Sequence, residues 1–347
     1  MSERSLNSPG LMLSCELEPH ELIRLSQLAE WCGYDEIWYT DQRFWRDCYV
    51  GLAQIAAATE RIRLGPGVND PFTRHPALIA MSIATLDEIS GGRAQLGLGV
   101  GGSGIQQMHL PKERPVRALA EAIDIIRLML GGGPVDYAGE LFQLTGAKMS
   151  APLPSKPIPI SVATHGPQVL KLCGKTADGV LLGNMGNLEA IDTAKSLVEE
   201  GARSANRPPS AITMNLRLEA LISEDREEAF SVMRTRMAHR LITSYPNWDF
   251  LGAHRSQLDP NVVYAAAARD RTEVARLLTE DDVRTQALVG DPHDVAEQLC
   301  SLAAGAFDKV TIRPYGFDGH GQDITIRYFS EAVWPRFLDY RRSIASA

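Results

Sequence analysis

Short apolar runs alternate with longer stretches in which apolar side chains recur at helical spacing, and the alternation repeats along almost the whole chain. Gly10-Leu11-Met12-Leu13-Ser14 reads as a first strand. A helix from Glu18-Pro19-His20 carries Leu22, Leu25, Leu28 and Ala29 on one face and closes at Gly33. The same pairing recurs with strands predicted at residues 35–39, 62–68, 93–98, 158–163, 178–182, within 212–222 and at 309–313, each followed by a helical stretch. Strands joined by helical crossovers lie parallel, with all their following turns at one edge of the sheet. Eight strand–helix units predict an α/β fold, a (β/α)8 TIM barrel, with an open doubly wound sheet as the rival.

Two stretches interrupt the pattern. After Gly131-Gly132-Gly133-Pro134, the run from Val135 to Leu144 reads as a β-hairpin inserted near 134–145. Residues 244–282 lack a period-two signal and read as an inserted helical segment. No linker or composition break divides the chain, so residues 1–347 are expected to form a single barrel domain.

Composition narrows the function classes without naming one. The 347 residues are 44% apolar and 22% charged, ordinary globular usage that provides a large core without metal or disulfide staples. A formal net charge of −8 argues against nucleic acid or an anionic membrane as the main partner. Five scattered cysteines without a C-x-x-C pair, an N-terminal stretch without a signal-peptide core and no run of ~18 apolar residues fit a reduced, cytoplasmic setting.

The candidate chemistry sits where barrel enzymes keep it, after the carboxyl ends of strands. Gly97-Leu98-Gly99-Val100-Gly101-Gly102 matches G-x-G-x-x-G, yet three strands precede it, and the acids about 20 residues on, Glu121 and Asp124, fall inside a predicted helix. A ligand-facing glycine turn fits better than a dinucleotide fingerprint. Gly67-Val68-Asn69-Asp70-Pro71 leaves strand three while still apolar, which suggests a bulge, or else an ordinary turn before Pro71. Asp41 and Gln42 end strand two. A carboxylate there can accept from a ligand ring N–H and Gln42 can donate or accept, although a plain capping aspartate accounts equally well for Asp41. Arg74-His75-Pro76 looks like a helix start with His75 as its structural partner. Thr164-His165-Gly166-Pro167 and Gly183-Asn184-Met185-Gly186 each join a strand to a helix. Small residues at a helix start suit a phosphate, because free N–H groups and the helix dipole both favour an anion. No metal-ligand spacing, nucleophile elbow or Walker loop occurs.

Taken together, the run Gly67-to-Pro76, the turn Gly91-Gly92-Arg93 with Leu96-Gly97-Leu98-Gly99-Val100-Gly101, the hairpin Val135-Asp136-Tyr137-Ala138-Gly139 and Ala177-Asp178-Gly179-Val180 resemble the luciferase-like monooxygenase superfamily over nearly the whole chain. The Gly67-to-Pro76 run is most similar to the methylenetetrahydromethanopterin reductase branch, which uses the deazaflavin coenzyme F420. The resemblance implies a non-proline cis peptide at Gly67–Val68, a bulge there backing the deazaflavin ring, and a cofactor site drawn from Asp41, Gly67, Val68, Asn69, Gly99, Gly101, Gly102 and Gln107. It places the phosphate and its tail near Ala163, Thr164, His165, Gly166, Gly183, Asn184, Met185 and Gly186. Two departures stand out. Relatives often carry His after the strand-two Asp, where this chain has Gln42, and an acid near the strand-four turn, where it has Gly104 beside Ser103.

The function implied is a coenzyme F420-dependent oxidoreductase that moves a hydride between the deazaflavin and a small organic substrate. Asp41 and Gln42 would act as the catalytic, orienting pair. Phe44, Trp45, Trp248, Arg313 and Tyr315 are candidates for the substrate wall. The alternatives are an FMN-dependent monooxygenase using reduced flavin and O2, and a non-catalytic flavin-binding barrel. A homodimer is implied by the resemblance.

Overall fold

The computed structural model describes residues 8–100, 105, 107–244, 259–317 and 319–345. The first half alternates as the pattern predicts: β1 (Gly10–Leu13), α1 (Pro19–Trp31), β2 (Glu36–Tyr39), α2 (Cys48–Ala58), β3 (Arg63–Pro66), α3 (Pro76–Ser90), β4 (Leu96–Leu98) and α4 (Pro115–Gly131). The hairpin follows as β5 (Val135–Ala138) paired antiparallel with β6 (Gln143–Ala147). Alternation resumes with β7 (Ile160–Ala163), α5 (Pro167–Thr176), β8 (Gly179–Gly183), α6 (Leu188–Ser204), β9 (Thr213–Ile222) and α7 (Arg226–Ser244). Within the expected helical insertion, residues 245–258 lie outside the described residues, and α8 (Pro260–Arg269), α9 (Arg271–Leu277) and α10 (Glu280–Arg284) make up the rest. The chain then runs through β10 (Ala287–Gly290), α11 (Pro292–Ser301), β11 (Lys309–Pro314), α12 (Gln322–Tyr328), a π-helical turn at Phe329–Val333 and α13 (Trp334–Ala345). Among the described residues, no helix is long and apolar enough to cross a membrane.

The helix starts follow local chemistry. Asp47 caps α2 by accepting from the amides of Tyr49 and Val50. His75 caps α3 through Nδ1, which accepts from Ala77 N, with Pro76 in the first turn. Burial lowers the His75 pKa, which favours the neutral ring that this acceptor role requires. Gly91, at φ 68, ends α3 in the left-handed conformation.

The chain divides into two compact units. The first comprises residues 10–181 and 196–214. Its strands run β1-β2-β3-β4-β7-β8, and the ladder pairs are parallel. β3 and β4 are joined through the parallel bridges Leu64↔Ala94 and Asn69↔Leu98. The strands are short and almost wholly buried, as parallel strands covered on both faces must be. Leu119, Ile123, Ile126 and Met129 give α4 its buried stripe. From the same helix, buried Glu121 accepts from the amides of Glu140, Leu141 and Phe142, and so fastens the hairpin turn.

The second unit holds residues 1–9, 182–195 and 215–347. Here β9 pairs in parallel with β11 along Asn215–Ala220 and with β10 along Glu219–Ile222. Strand β10 was not among the predicted strands. At ten residues β9 runs well beyond its neighbours, and the short apolar run Ala287-Leu288-Val289 takes up the ladder groups of its far end.

Candidate functional site

The ladder of β3 stops at Pro66. Gly67 N still donates to Tyr39 O at 2.8 Å, and Val68, joined to Gly67 by a cis peptide, steps out of the ladder. Asn69 rejoins the sheet, donating from its amide to Gly97 O at 2.9 Å and accepting from Gly99 N at 2.8 Å. This is the bulge that the Gly-Val-Asn-Asp-Pro run suggests, and the cis bond falls where the resemblance puts it. Glycine is required opposite. A Cβ at Gly97 would lie 2.8 Å from Val68 Cγ1, and one at Gly99 would lie 2.6 Å from Val68 Cγ2. Val68 and Ala163, both partly exposed, pack against buried Met12, Trp38 and Leu181. Five strand segments thus contribute to one apolar shelf.

A polar edge borders the shelf. Asn69 is fully buried. Its Nδ2 donates to Asp41 Oδ2 at 2.6 Å, and its Oδ1 accepts from Tyr49 Oη at 2.7 Å. The other Asp41 oxygen pairs with Arg43 Nη1 at 3.0 Å. Arg43 also pairs with buried Asp70 and donates to Thr73 Oγ1 at 2.6 Å. Asp70 shapes the turn by accepting from the amides of Phe72 and Thr73. Burial drives the Tyr49 pKa well above the usual tyrosine value, so the hydroxyl keeps its proton as donor. Asp41 is more than a loop cap: two fixed donors hold it with 14% of its side chain exposed, so it can still accept a ligand N–H. Gln42 is half-buried, with Cys15 Sγ 3.7 Å from its Oε1.

The remaining candidates of the first unit are more peripheral. Phe44, at φ 67, is 72% exposed and Trp45 is 57% exposed. Gln107 is exposed, Thr164 and His165 are half-buried, and Gly166 is exposed. No side chain caps α5 at Gly166, so its first-turn amides and the positive end of its dipole are available to an anion. Gly101, Gly102 and Trp248 lie outside the described residues.

In the second unit, Gly183 to Gly186 lead into α6. Asn184 sits at φ 56 and donates its amide to Arg217 O, while Gly186 N donates to Thr285 O, both at 2.7 Å. Those two amides are therefore engaged by the neighbouring chain, and Met185 is buried. The Asn184 side chain accepts from Arg217 Nη1 and reaches Glu219 Oε1 at 3.4 Å. Arg217 Nη2 pairs with the same Glu219 oxygen at 2.8 Å. Burial pushes the Glu219 carboxyl up, but Arg217, Arg313, the Tyr315 hydroxyl and Arg240 outweigh it and hold the pKa at about 2. The guanidiniums of Arg236 and Arg313 lie over the Tyr315 ring, 3.9 and 5.4 Å from its centroid. Burial, with Arg217 adding to it, brings Arg240 down to about 10.

A family model for luciferase-like monooxygenases matches residues 5–309. The chain belongs to this family. It is 32% identical to a 5,10-methylenetetrahydromethanopterin reductase of Archaeoglobus fulgidus over 89% of this chain and 94% of that protein. It is 28% identical to an F420-dependent glucose-6-phosphate dehydrogenase of Amycolatopsis mediterranei over 92% and 94%. Among solved structures, the coenzyme F420-dependent tetrahydromethanopterin reductase of Methanopyrus kandleri superimposes with a TM-score of 0.85 at 29% identity, covering 95% of this chain and 99% of that one.

The fold of this luciferase-like chain is accordingly the (β/α)8 barrel expected from its strand–helix alternation. Sequence reasoning singled out Asp41, Asn69, Arg313 and Tyr315 but passed over their partners Arg43, Tyr49, Arg217, Glu219, Arg236 and Arg240. A signal was present for two of these. In Leu216-Arg217-Leu218-Glu219-Ala220, charges alternate with apolar residues in a strand, and charges on a buried strand face call for partners.

Proposed function

We propose that this luciferase-like protein is a coenzyme F420-dependent oxidoreductase that transfers a hydride between the deazaflavin and a small organic substrate. The observation that carries this reading is the half-exposed shelf of Val68 and Ala163 edged by the fixed Asp41 carboxylate. It suits a flat heterocycle with an N–H at its rim. The relatives named for F420 chemistry support the deazaflavin over FMN. When bound, F420 supplies a ring carbon that gives or takes a hydride.

The protein's own part is positioning. Val68 and Ala163 would back the ring, and Asp41 would accept from its edge, oriented by Asn69 and Arg43. The uncapped start of α5 would take the phosphate. Phe44 and Trp45 would shield the substrate from water, and Gln42 would contact it. On the same reading, and as the resemblance implies, the protein would work as a cytoplasmic homodimer.

Parallel fluorescence titrations of the purified protein with F420 and with FMN test this. F420 is expected to bind at least about tenfold more tightly than FMN, and Asp41→Asn to weaken F420. Tight FMN binding with no affinity for F420 would overturn the reading. Binding without turnover on any acceptor would favour a non-catalytic barrel.

A further inference from the structure

Gln42 follows Asp41 at the polar edge of the shelf, and one side of its carboxamide is already engaged. Cys15, in the turn after β1, is fully buried. Its thiol lies 3.7 Å from Gln42 Oε1 and 4.0 Å from Gln42 O. Both of these neighbours are oxygens, so the S–H is the donor. Among the described residues, no group takes the Nε2 hydrogens of Gln42.

The backbone holds the thiol in that place. Cys15 N donates to Thr40 Oγ1 at 2.9 Å and Thr40 N to Leu13 O at 3.0 Å, which ties the exit of β1 to the exit of β2. On the other side, Arg43 Nη1 donates to Asp41 O at 2.7 Å and Trp45 N to Gln42 O at 3.4 Å, so the loop that carries Gln42 is fixed as well. With its oxygen turned to the thiol, the carboxamide has chiefly donors left to offer. Exchanging its oxygen and nitrogen would set N–H groups against a sulfur, a poor acceptor, and leave the buried thiol without its own.

We propose that Cys15 is a positioning residue that makes Gln42 a hydrogen-bond donor to the organic substrate, which meets it with the oxygen or nitrogen of a polarised double bond, a carbonyl or an imine. A carboxamide neither takes nor gives a proton, so an alcohol finds no base in Gln42. An atom that gains negative charge does find a fixed donor there. Gln42 holds that atom while the electron pair of the double bond moves onto it, the adjacent carbon taking the hydride of the reduced deazaflavin, which is left oxidised. The proton that completes the product comes from water. This rests on the oxidoreductase reading in bringing a substrate beside Asp41; the donor state of Gln42 stands on its own contacts.

Cyclohexanone and methylenecyclohexane, alike in shape but with and without the acceptor oxygen, test the proposal by heteronuclear NMR on the isotope-labelled full chain, with and without oxidised F420. The side-chain amide signals of Gln42 are identified by their loss in Gln42→Glu. Cyclohexanone is expected to shift them and methylenecyclohexane to leave them in place. Cys15→Ala should weaken cyclohexanone binding by at least about threefold. Cys15→Ser should recover part of the loss, because a hydroxyl donates but reaches less far than a thiol. Gln42→Glu, with no N–H to offer, should lose roughly tenfold. F420 affinity, read by fluorescence, should stay within about twofold in both Cys15 variants. A purely structural cysteine would lower the melting temperature without moving the Gln42 signals. Gln42 signals that ignore cyclohexanone, or equal cyclohexanone affinity in the wild type and Cys15→Ala, overturn the proposal. Signals that respond in a protein with no F420 affinity would sink the oxidoreductase reading and leave the donor role of Gln42 standing.

Discussion

Tyr49 donates to Asn69 Oδ1 at 2.7 Å, and that bond leaves the Asn69 amide nitrogen one place to go, onto Asp41 Oδ2 at 2.6 Å. An amide buried between a hydroxyl donor and a carboxylate acceptor has one satisfied orientation. The tyrosine thus fixes the direction of the carboxylate through an intermediary that does not titrate.

Replacing Tyr49 by Phe removes the donor and keeps the ring under Arg74, whose guanidinium lies 4.9 Å from its centroid. Asn69 Oδ1 is then buried without its partner, which costs about 1–3 kcal/mol. The amide is freed to turn, and Asp41 loses a fixed donor. On the proposed function, turnover should fall roughly ten- to a hundredfold while the KM for the organic substrate changes little. Steady-state kinetics and a urea melt check both parts. A variant that loses stability but keeps its kcat would show that the tyrosine serves the fold alone.

The Val68 shelf makes a second, sharply local prediction. A Cβ at Gly99 meets Val68 Cγ2 at 2.6 Å and nothing else closer than 3.8 Å. Gly99→Ala should therefore destabilise by about 1–3 kcal/mol through overpacking, and Val68→Ala should relieve most of it. The double variant is expected to be more stable than the sum of the single changes implies, a coupling above about 0.5 kcal/mol. It should also bind F420 more weakly, because the shelf has lost its surface. Additive melting data would mean that the crowding lies elsewhere.

Arg93, from the Gly-Gly-Arg turn that helped mark the family, is a structural tie. Its guanidinium donates to the carbonyls of Ala56, Thr59, Ile62 and Ser90 and to Thr59 Oγ1. It thereby pins the end of α2 and the end of α3 to the start of β3. Lysine keeps the charge but offers a point donor in place of a fork. Arg93→Lys should lose on the order of 2–4 kcal/mol by leaving buried carbonyls unmet, with F420 affinity unchanged in the fraction that remains folded.

What could be read from the chain alone was whatever leaves a local mark. Buried parallel strands are unbroken apolar runs, so β1 to β4 show plainly. The bulge shows because Gly67-Val68-Asn69-Asp70-Pro71 suits neither a strand nor a plain turn. Strand β10 was missed because its four residues owe their strand state to the far end of β9, not to a pattern of their own. The arginine cluster was missed for a related reason. Arg217 and Glu219 lie about 20 residues from Arg236 and Arg240 and almost 100 from Arg313 and Tyr315, so only the register of β9 with β11 and the packing of α7 bring them together.

Glu219 carries the clearest pH signature. Its pKa is depressed from the ordinary 4.5 to about 2, so in the folded state it binds its proton less readily than when unfolded. The unfolded chain takes up the proton first as pH falls. The stability contributed by the carboxylate is therefore complete above about pH 4.5 and is lost as pH drops toward 2. A shift of that size corresponds to about 3 kcal/mol. Glu219→Gln keeps an acceptor for Arg217 and for the Tyr315 hydroxyl but removes the buried charge that pairs with Arg217. The variant should be less stable than the wild type by on the order of 3 kcal/mol at pH 7. The gap should narrow steadily below pH 4.5 as the wild-type carboxyl protonates. Urea unfolding of both proteins at a series of pH values measures it. A gap of constant size from pH 7 down to pH 3 would show that shape and hydrogen bonding, not charge, hold this cluster together.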